Sequence, residues 1–164
     1  MPKAILICGK IASGKSWYCR GLLEKSPALL LSVDEITGRI FGNSLGEAHD
    51  LVCEKIQAYL LDKAVEAVRA GADVILDWGF WTQKDRQASA EFFRRRRVPV
   101  EWHYISAADA VWRENIARRN AAVLAGEDPS YYVDEGLLQK LQGLFEPPDP
   151  EEMDVIIEAA LSGN

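Results

Sequence analysis

The 164-residue chain is 48% hydrophobic and has a formal net charge of −6 with a pI near 5.0. That is the size of one globular domain with a sizeable core, spanning 1–164, and two independent domains would be a squeeze. The acidic balance lacks the broad basic footprint of a polyanion binder and suits small ligands better than nucleic acid. No run approaches the ~20 uninterrupted apolar residues of a spanning helix, and the apolar opening "AILIC" leads straight into glycines. The expectation is therefore a cytoplasmic protein that is neither secreted nor cleaved and has no membrane partner. Cys8, Cys19 and Cys53 form an odd set without a CxxC pair, which argues against a disulfide framework or a thiolate metal site.

Along the chain, short apolar runs alternate with longer amphipathic ones. Strand-like runs are "AILIC" (4–8), "ALLLSV" (28–33), "DVILD" (73–77), "VEWHYI" (100–105) and "MDVIIEA" (153–159). Helical patterns occupy 15–25, 47–70 with Gly71 as its stop, 83–97 before Pro99, and 107–122. "LAGEDPSYYVDEG" has loop composition, and Asp134 is the expected N-cap of a helix through Phe145, which "EPPDPEE" then breaks before the last strand. Strands separated by helices predict an α/β fold: a five-stranded parallel sheet covered by helices on both faces.

Residues 9–16, "GKIASGKS", satisfy GxxxxGK[ST] between an apolar strand and an amphipathic helix, the context this phosphate loop requires. Glycines let the backbone curl so that successive N–H groups point at phosphate oxygens, and the helix N-terminus adds its partial positive charge. The expected nucleotide-binding residues are Gly9, Lys10, Ile11, Ala12, Ser13, Gly14, Lys15, Ser16 and Trp17. In this pattern Lys15 reaches the β- and γ-phosphates of ATP and the Ser16 hydroxyl ligates Mg²⁺.

A carboxylate must help to hold that metal and its water. Asp77 closes the third strand at the C-terminal edge of the sheet, where the phosphate loop lies; the plainer reading is a cap on the next turn. Asp34 ends the second strand on the same edge. A kinase needs a base for the acceptor hydroxyl there, whereas the plainer role is N-capping of the following "EITGRIFG". Arg39, in the same segment, can serve either substrate or a surface carboxylate.

Phosphoryl transfer builds charge that arginines meet, and "WRENIARRN" supplies Arg113, Arg118 and Arg119. These are a set rather than an assignment, with Arg119 preferred as nearest the following loop and a solvated face paired with Glu114 as the alternative. The run Arg94–Arg97 ends a helix at the edge opposite the phosphate loop, where cations favour the helix dipole without any ligand. His49 and His103 lack metal-ligand spacing. Trp78, Phe80 and Trp81 follow Asp77 and either line an acceptor pocket or pin their loop.

With these residues in hand the chain resembles the P-loop kinase-like proteins of the AAA-33 type, whose relatives include chloramphenicol phosphotransferase, the zeta toxins and the kinase domain of polynucleotide kinase. "GKIASGKS", "SVDEITGRIFG", "VILDWGFW", "RENIARRN" and "FEPPDPEE" carry the likeness over nearly the whole chain. The resemblance implies strand order 2-3-1-4-5, an ATP–Mg²⁺ donor, a helical lid near 119–133, and a segment 146–148 close to the adenine. It also implies that Asp34 is the acceptor-binding base. Polynucleotide kinases of this group carry an arginine three residues after that aspartate; here the position is Thr37, which with the net charge speaks against a 5′-hydroxyl nucleic-acid acceptor. The reading is an ATP-dependent kinase for a small-molecule hydroxyl. Its rivals are a slow nucleotide switch and a nucleic-acid end kinase, and the absence of NKxD counts against a Ras-like switch.

Overall fold

The computed structural model describes residues 1–128 and 130–160. Pro129 of the expected lid and 161–164 of the expected domain lie outside the described residues. Five parallel strands, β1 (Ala4–Cys8), β2 (Ala28–Ser32), β3 (Asp73–Gly79), β4 (Val100–Ala107) and β5 (Val155–Ala159), form one sheet in the order β2-β3-β1-β4-β5. Six helices connect them: α1 (Lys15–Lys25), α2 (Val33–Ile40), α3 (His49–Arg69), α4 (Gln83–Arg95), α5 (Asp109–Leu124) and α6 (Glu135–Leu144). No helix among the described residues is long and apolar enough to cross a membrane.

The central strand shows why the sheet is covered on both sides. All five residues of β1 are buried, and alternate side chains go to opposite layers. Ala4 and Leu6 pack with Ala64, Val65 and Val68 of α3 and Phe93 of α4. Ile5 and Ile7 join Ile75, Ile105 and Cys19 of α1. A third apolar cluster sits beyond the strand ends, where Trp112 and Ile116 of α5 meet Val133 and Leu138 and Leu141 of α6.

Strand β1 and helix α1 fall where the apolar pattern puts them. Elsewhere the tertiary context moves the ends. β3 continues to Gly79 because its pairing with β1 resumes past a register shift at Ile7/Cys8, with Cys8 opposite Gly79. β4 runs on to Ala107, so α5 begins at Asp109. β5 starts only at Val155: Pro150–Glu152 makes a 3₁₀ turn capped by Asp149, and the Asp154 carboxylate accepts from Trp102 N at 2.7 Å. Helix α2 is not evident from periodicity, since "VDEITGRI" is short and contains Thr and Gly. Ser32 caps it by accepting from Glu35 N, and Val33 and Thr37 bury one face a turn apart. Asp134 caps α6 as expected, accepting from Leu137 N at 2.8 Å.

The three cysteines are free. Burial pushes the Cys8 thiol up to about 11 and the Cys19 thiol up to about 12, so both pack as neutral small hydrophobes.

Candidate functional site

Parallel strands put all five C-terminal ends on one edge, and residues 9–14 bridge β1 to α1 there. Two glycines let this bridge lie close to its neighbours. A Cβ on Gly9 would meet Ser13 Oγ at 2.7 Å and Ile105 O at 3.0 Å, and one on Gly79 would meet Gly9 O at 2.8 Å. The loop turns through left-handed backbone at Ala12 (φ 54°) and Gly14 (φ 102°) before α1 begins at Lys15. Ser13 Oγ is buried inside the turn and has no hydrogen-bond partner among the described residues.

Lys15 is half-buried, and its ammonium reaches back across the loop to donate to Lys10 O at 2.7 Å. Burial pushes its pKa down, with Asp77 and then Asp34 acting in the opposite direction. Asp77 is buried at the end of β3, opposite Ile7 of β1 and Ser32 of β2. Burial pushes its carboxyl up, Lys15 opposes that shift, and Asp34 adds to it. Asp34 follows two residues after Ser32, exposed in the first turn of α2. It is not the cap of α2, because Ser32 fills that role. One ammonium and two carboxylates from three separate elements thus lie within electrostatic reach of one another. A half-buried lysine, an orphaned hydroxyl and a glycine cradle at a helix N-terminus fit an anionic group such as a nucleotide phosphate. Ser16 is exposed at the first turn of α1, as is Trp17.

The arginines of α5 separate by partner. Arg113 is exposed, held by Asp109 at 3.0 Å and Glu135 at 3.4 Å, and Arg118 binds Glu114 at 3.0 Å. Arg119 is half-buried beside the Tyr131 ring, with its guanidinium carbon 5.7 Å from the ring centroid. Its Nε is buried and finds no hydrogen-bond partner among the described residues. Tyr131 is 47% exposed; its partial burial pushes the phenol up, Arg119 opposes that shift and Asp34 adds to it.

Several side chains at this edge carry no signal in the glycine motif. Trp112 Nε1 donates to Ile11 O at 2.6 Å, and Asn115 Nδ2 donates to Ala12 O at 3.0 Å. The Lys10 ammonium sits 3.9 Å above the centroid of the Trp112 ring. Asn120 exchanges two hydrogen bonds with the backbone of Val133, tying the loop after α5 back to that helix. Arg86, almost fully buried, donates to Phe80 O at 3.1 Å and Glu146 O at 2.9 Å and pairs with Glu152 at 3.3 Å. It thereby joins "WGFW" to "FEPPDPEE", together with Glu146 N donating to Trp81 O and Gln83 N donating to the Glu146 carboxylate. Trp112, Asn115 and Asn120 at least sit in the arginine-bearing stretch "WRENIARRN", whereas Arg86 lies outside every motif and had no signal in the sequence.

The aromatics after Asp77 all make packing contacts, and Trp78 and Trp81 are only half-buried. Phe80 is buried between Trp78 and Trp102, each ring centroid 5.0 Å away, and Trp81 packs with Ile11, Ala12 and the α5–α6 cluster. Arg39 pairs with Glu35 at 3.0 Å. His103 is buried between Tyr18 and Glu101, within hydrogen-bond distance of both, and Glu101 also pairs with Lys3.

Three solved structures illustrate the likeness. A sugar kinase from a Janibacter species has 15% identity and a TM-score of 0.67, covering 96% of this chain and 86% of its own. The APS kinase CysC of Mycobacterium tuberculosis, solved with AMPPNP and APS, has 16% identity and a TM-score of 0.66, covering 96% and 88%. Kti12 of Chaetomium thermophilum, solved with ADP-AlF3, has 18% identity and a TM-score of 0.68, covering 98% and 90%. At these identities the likeness shows the fold alone, that of P-loop kinases. No curated protein matches the sequence. The profile of the AAA_33 family, described as an AAA domain, matches residues 5–148. With the phosphate loop, the five-stranded order and that match together, the chain belongs to the AAA_33 family of P-loop kinase-like proteins.

Proposed function

We propose that this protein is an ATP-dependent kinase that carries the γ-phosphoryl group to a hydroxyl of a small-molecule acceptor. The observation that supports this most directly is the convergence of Lys15, Asp77 and Asp34 from α1, β3 and α2 on one sheet edge. A nucleotide switch needs the first two; a second, exposed carboxylate suits a base for an acceptor.

In this reading Gly9–Trp17 bind the phosphates through backbone N–H groups, and Lys15 moves from Lys10 O to the β- and γ-phosphate oxygens. Ser16 and Asp77 would hold Mg²⁺, directly or through water, which when bound supplies charge neutralisation for the phosphates. Asp34, open to solvent in the first turn of α2, orients the acceptor hydroxyl and takes its proton as the oxygen attacks the γ-phosphorus, whose bond to the β–γ bridging oxygen breaks to release ADP. Arg119, the α5 arginine that no carboxylate holds among the described residues, meets the charge on the transferring group. Arg113, held between Asp109 and Glu135, steadies the start of α6 and becomes a second cation for the phosphates only if that pairing opens.

The test is transfer of labelled γ-phosphate from ATP to a panel of sugars, aminoglycoside-like and phenicol-like compounds, nucleosides and 5′-hydroxyl oligonucleotides. Transfer to a small-molecule class is expected, with Asp34→Asn about 10²–10⁴-fold slower at unchanged ATP affinity. Undiminished transfer by Asp34→Asn removes Asp34 from the role of base, and transfer to oligonucleotides alone overturns the small-molecule acceptor.

A further inference from the structure

The phosphate loop of this protein is held from outside by one face of α5. Trp112 and Asn115 are three residues apart, and Arg119 follows four later, so all three lie on the same side of the helix. The first two donate to consecutive loop carbonyls, those of Ile11 and Ala12, at 2.6 and 3.0 Å. Ala12 is also the one non-glycine residue of the loop with a left-handed backbone, φ 54°. Such a conformation is strained for a residue that carries a Cβ and persists only where the surroundings over-determine it. A carbonyl held outward by a fixed donor does that, because it sets the rotation of the peptide it shares with the Ser13 N–H, which closes the turn by donating to Lys10 O at 3.2 Å.

We propose that Trp112 and Asn115 are positioning residues for nucleotide phosphate: they hold the crest of the loop in its anion-binding shape and place it in fixed register with Arg119. The inference rests on the kinase reading above for the role of Arg119, but not for the grip on the loop. Trp112 is fully buried, and its indole face also supports the Lys10 ammonium, whose own carbonyl accepts from Lys15. Loop, lysine and arginine are therefore referred to a single helix rather than to three independent supports. The apolar cluster of Trp112, Ile116 and Val133, with Ile11 and Ala12 packed against it, keeps water from competing for these two donors.

Asn115→Asp keeps the size of the side chain and removes the donor, and Trp112→Phe keeps a ring and removes the N–H. For wild type and both variants, ATP–Mg²⁺ affinity is measured by calorimetry and backbone hydrogen exchange is followed in 9–17 and 73–79. The expected result is about a tenfold loss of affinity in each variant, the factor one such hydrogen bond carries, with faster exchange confined to 9–17. The loss in Asn115→Asp should also shrink relative to wild type as pH falls through the carboxylate range, because a protonated carboxyl regains a donor for Ala12 O. Affinity within twofold of wild type with unchanged loop exchange overturns the proposal, as does exchange that rises equally in 73–79. If wild type itself fails to bind ATP–Mg²⁺, the kinase reading fails, and the exchange measurement still decides whether the two side chains hold the loop.

Discussion

Two arginine-rich stretches of this protein look alike as sequence and differ in what surrounds them. Arg94–Arg97 close α4 at the edge where the strands begin, and each of the first three has a local use. Arg94 and Arg95 both grip Glu91 at 2.6 Å, holding its carboxyl down at about 2, while Arg96 lies over the Phe92 ring and reaches Asp62 at 3.9 Å. On α5, at the opposite edge, Arg113 and Arg118 are likewise paired, but Arg119 points its buried Nε beside Tyr131 with no partner among the described residues. The charge of a cluster says little about ligands until its neighbours are counted; the informative group is the cation left without a carboxylate on the edge that carries the phosphate loop.

The contrast predicts unequal effects of removing an arginine. Arg119→Ala should slow phosphoryl transfer about 10³-fold with ATP affinity little changed, whereas Arg95→Ala should stay within about twofold of wild type; equal losses in a transfer assay would erase the distinction between the two stretches.

A smaller effect sharpens the difference on the carboxylate side. Glu91 is half-buried beside two arginines and its folded pKa is depressed, whereas Asp77 is buried and its folded pKa is raised. A raised carboxyl pKa means that ionisation costs stability, so Asp77 destabilises the ligand-free fold progressively as pH rises from the ordinary value of 3.8 through the folded value. Asp77→Asn should therefore melt roughly 2–4 °C higher than wild type at pH 7 without ligand. The gain should vanish below pH 3.8, and Mg²⁺-dependent ATP binding should weaken. A melting temperature at or below that of wild type at pH 7 would mean that the Asp77 charge is not paying a desolvation cost.

The smallest expected effect belongs to the exposed pairs at the end of α4. Arg94→Ala should shift the melting temperature by less than about 2 °C, as screened surface pairs do, and leave the salt dependence of any oligonucleotide binding unchanged. A marked flattening of that salt dependence would restore a polyanion role to this stretch.

Much of this architecture is legible in local pattern. The glycine spacing of 9–16, the apolar run of β1 and the caps at Asp134 and Gly71 depend on residues a few positions apart, where backbone sterics and short-range hydrogen bonds act. The arrival of Asp77 and Asp34 near the phosphate loop is also readable, because parallel strands must deliver their C-terminal ends to one edge. What pattern cannot carry are interactions between distant segments of chain. Helix α2 owes its place to a serine cap and two buried side chains rather than to propensity. Which α5 arginine lacks a carboxylate depends on Glu135, more than a dozen residues downstream, as well as on nearer acids. The grip of Trp112 and Asn115 on Ile11 and Ala12, and the link that Arg86 makes to Glu146 and Glu152, span 60 to 103 positions. The sequence by itself determined the phosphate loop and the edge it occupies, since both follow from local sterics and strand direction. Only the tertiary structure decided which side chains hold that loop in shape, since that depends on where a helix from the far half of the chain is packed.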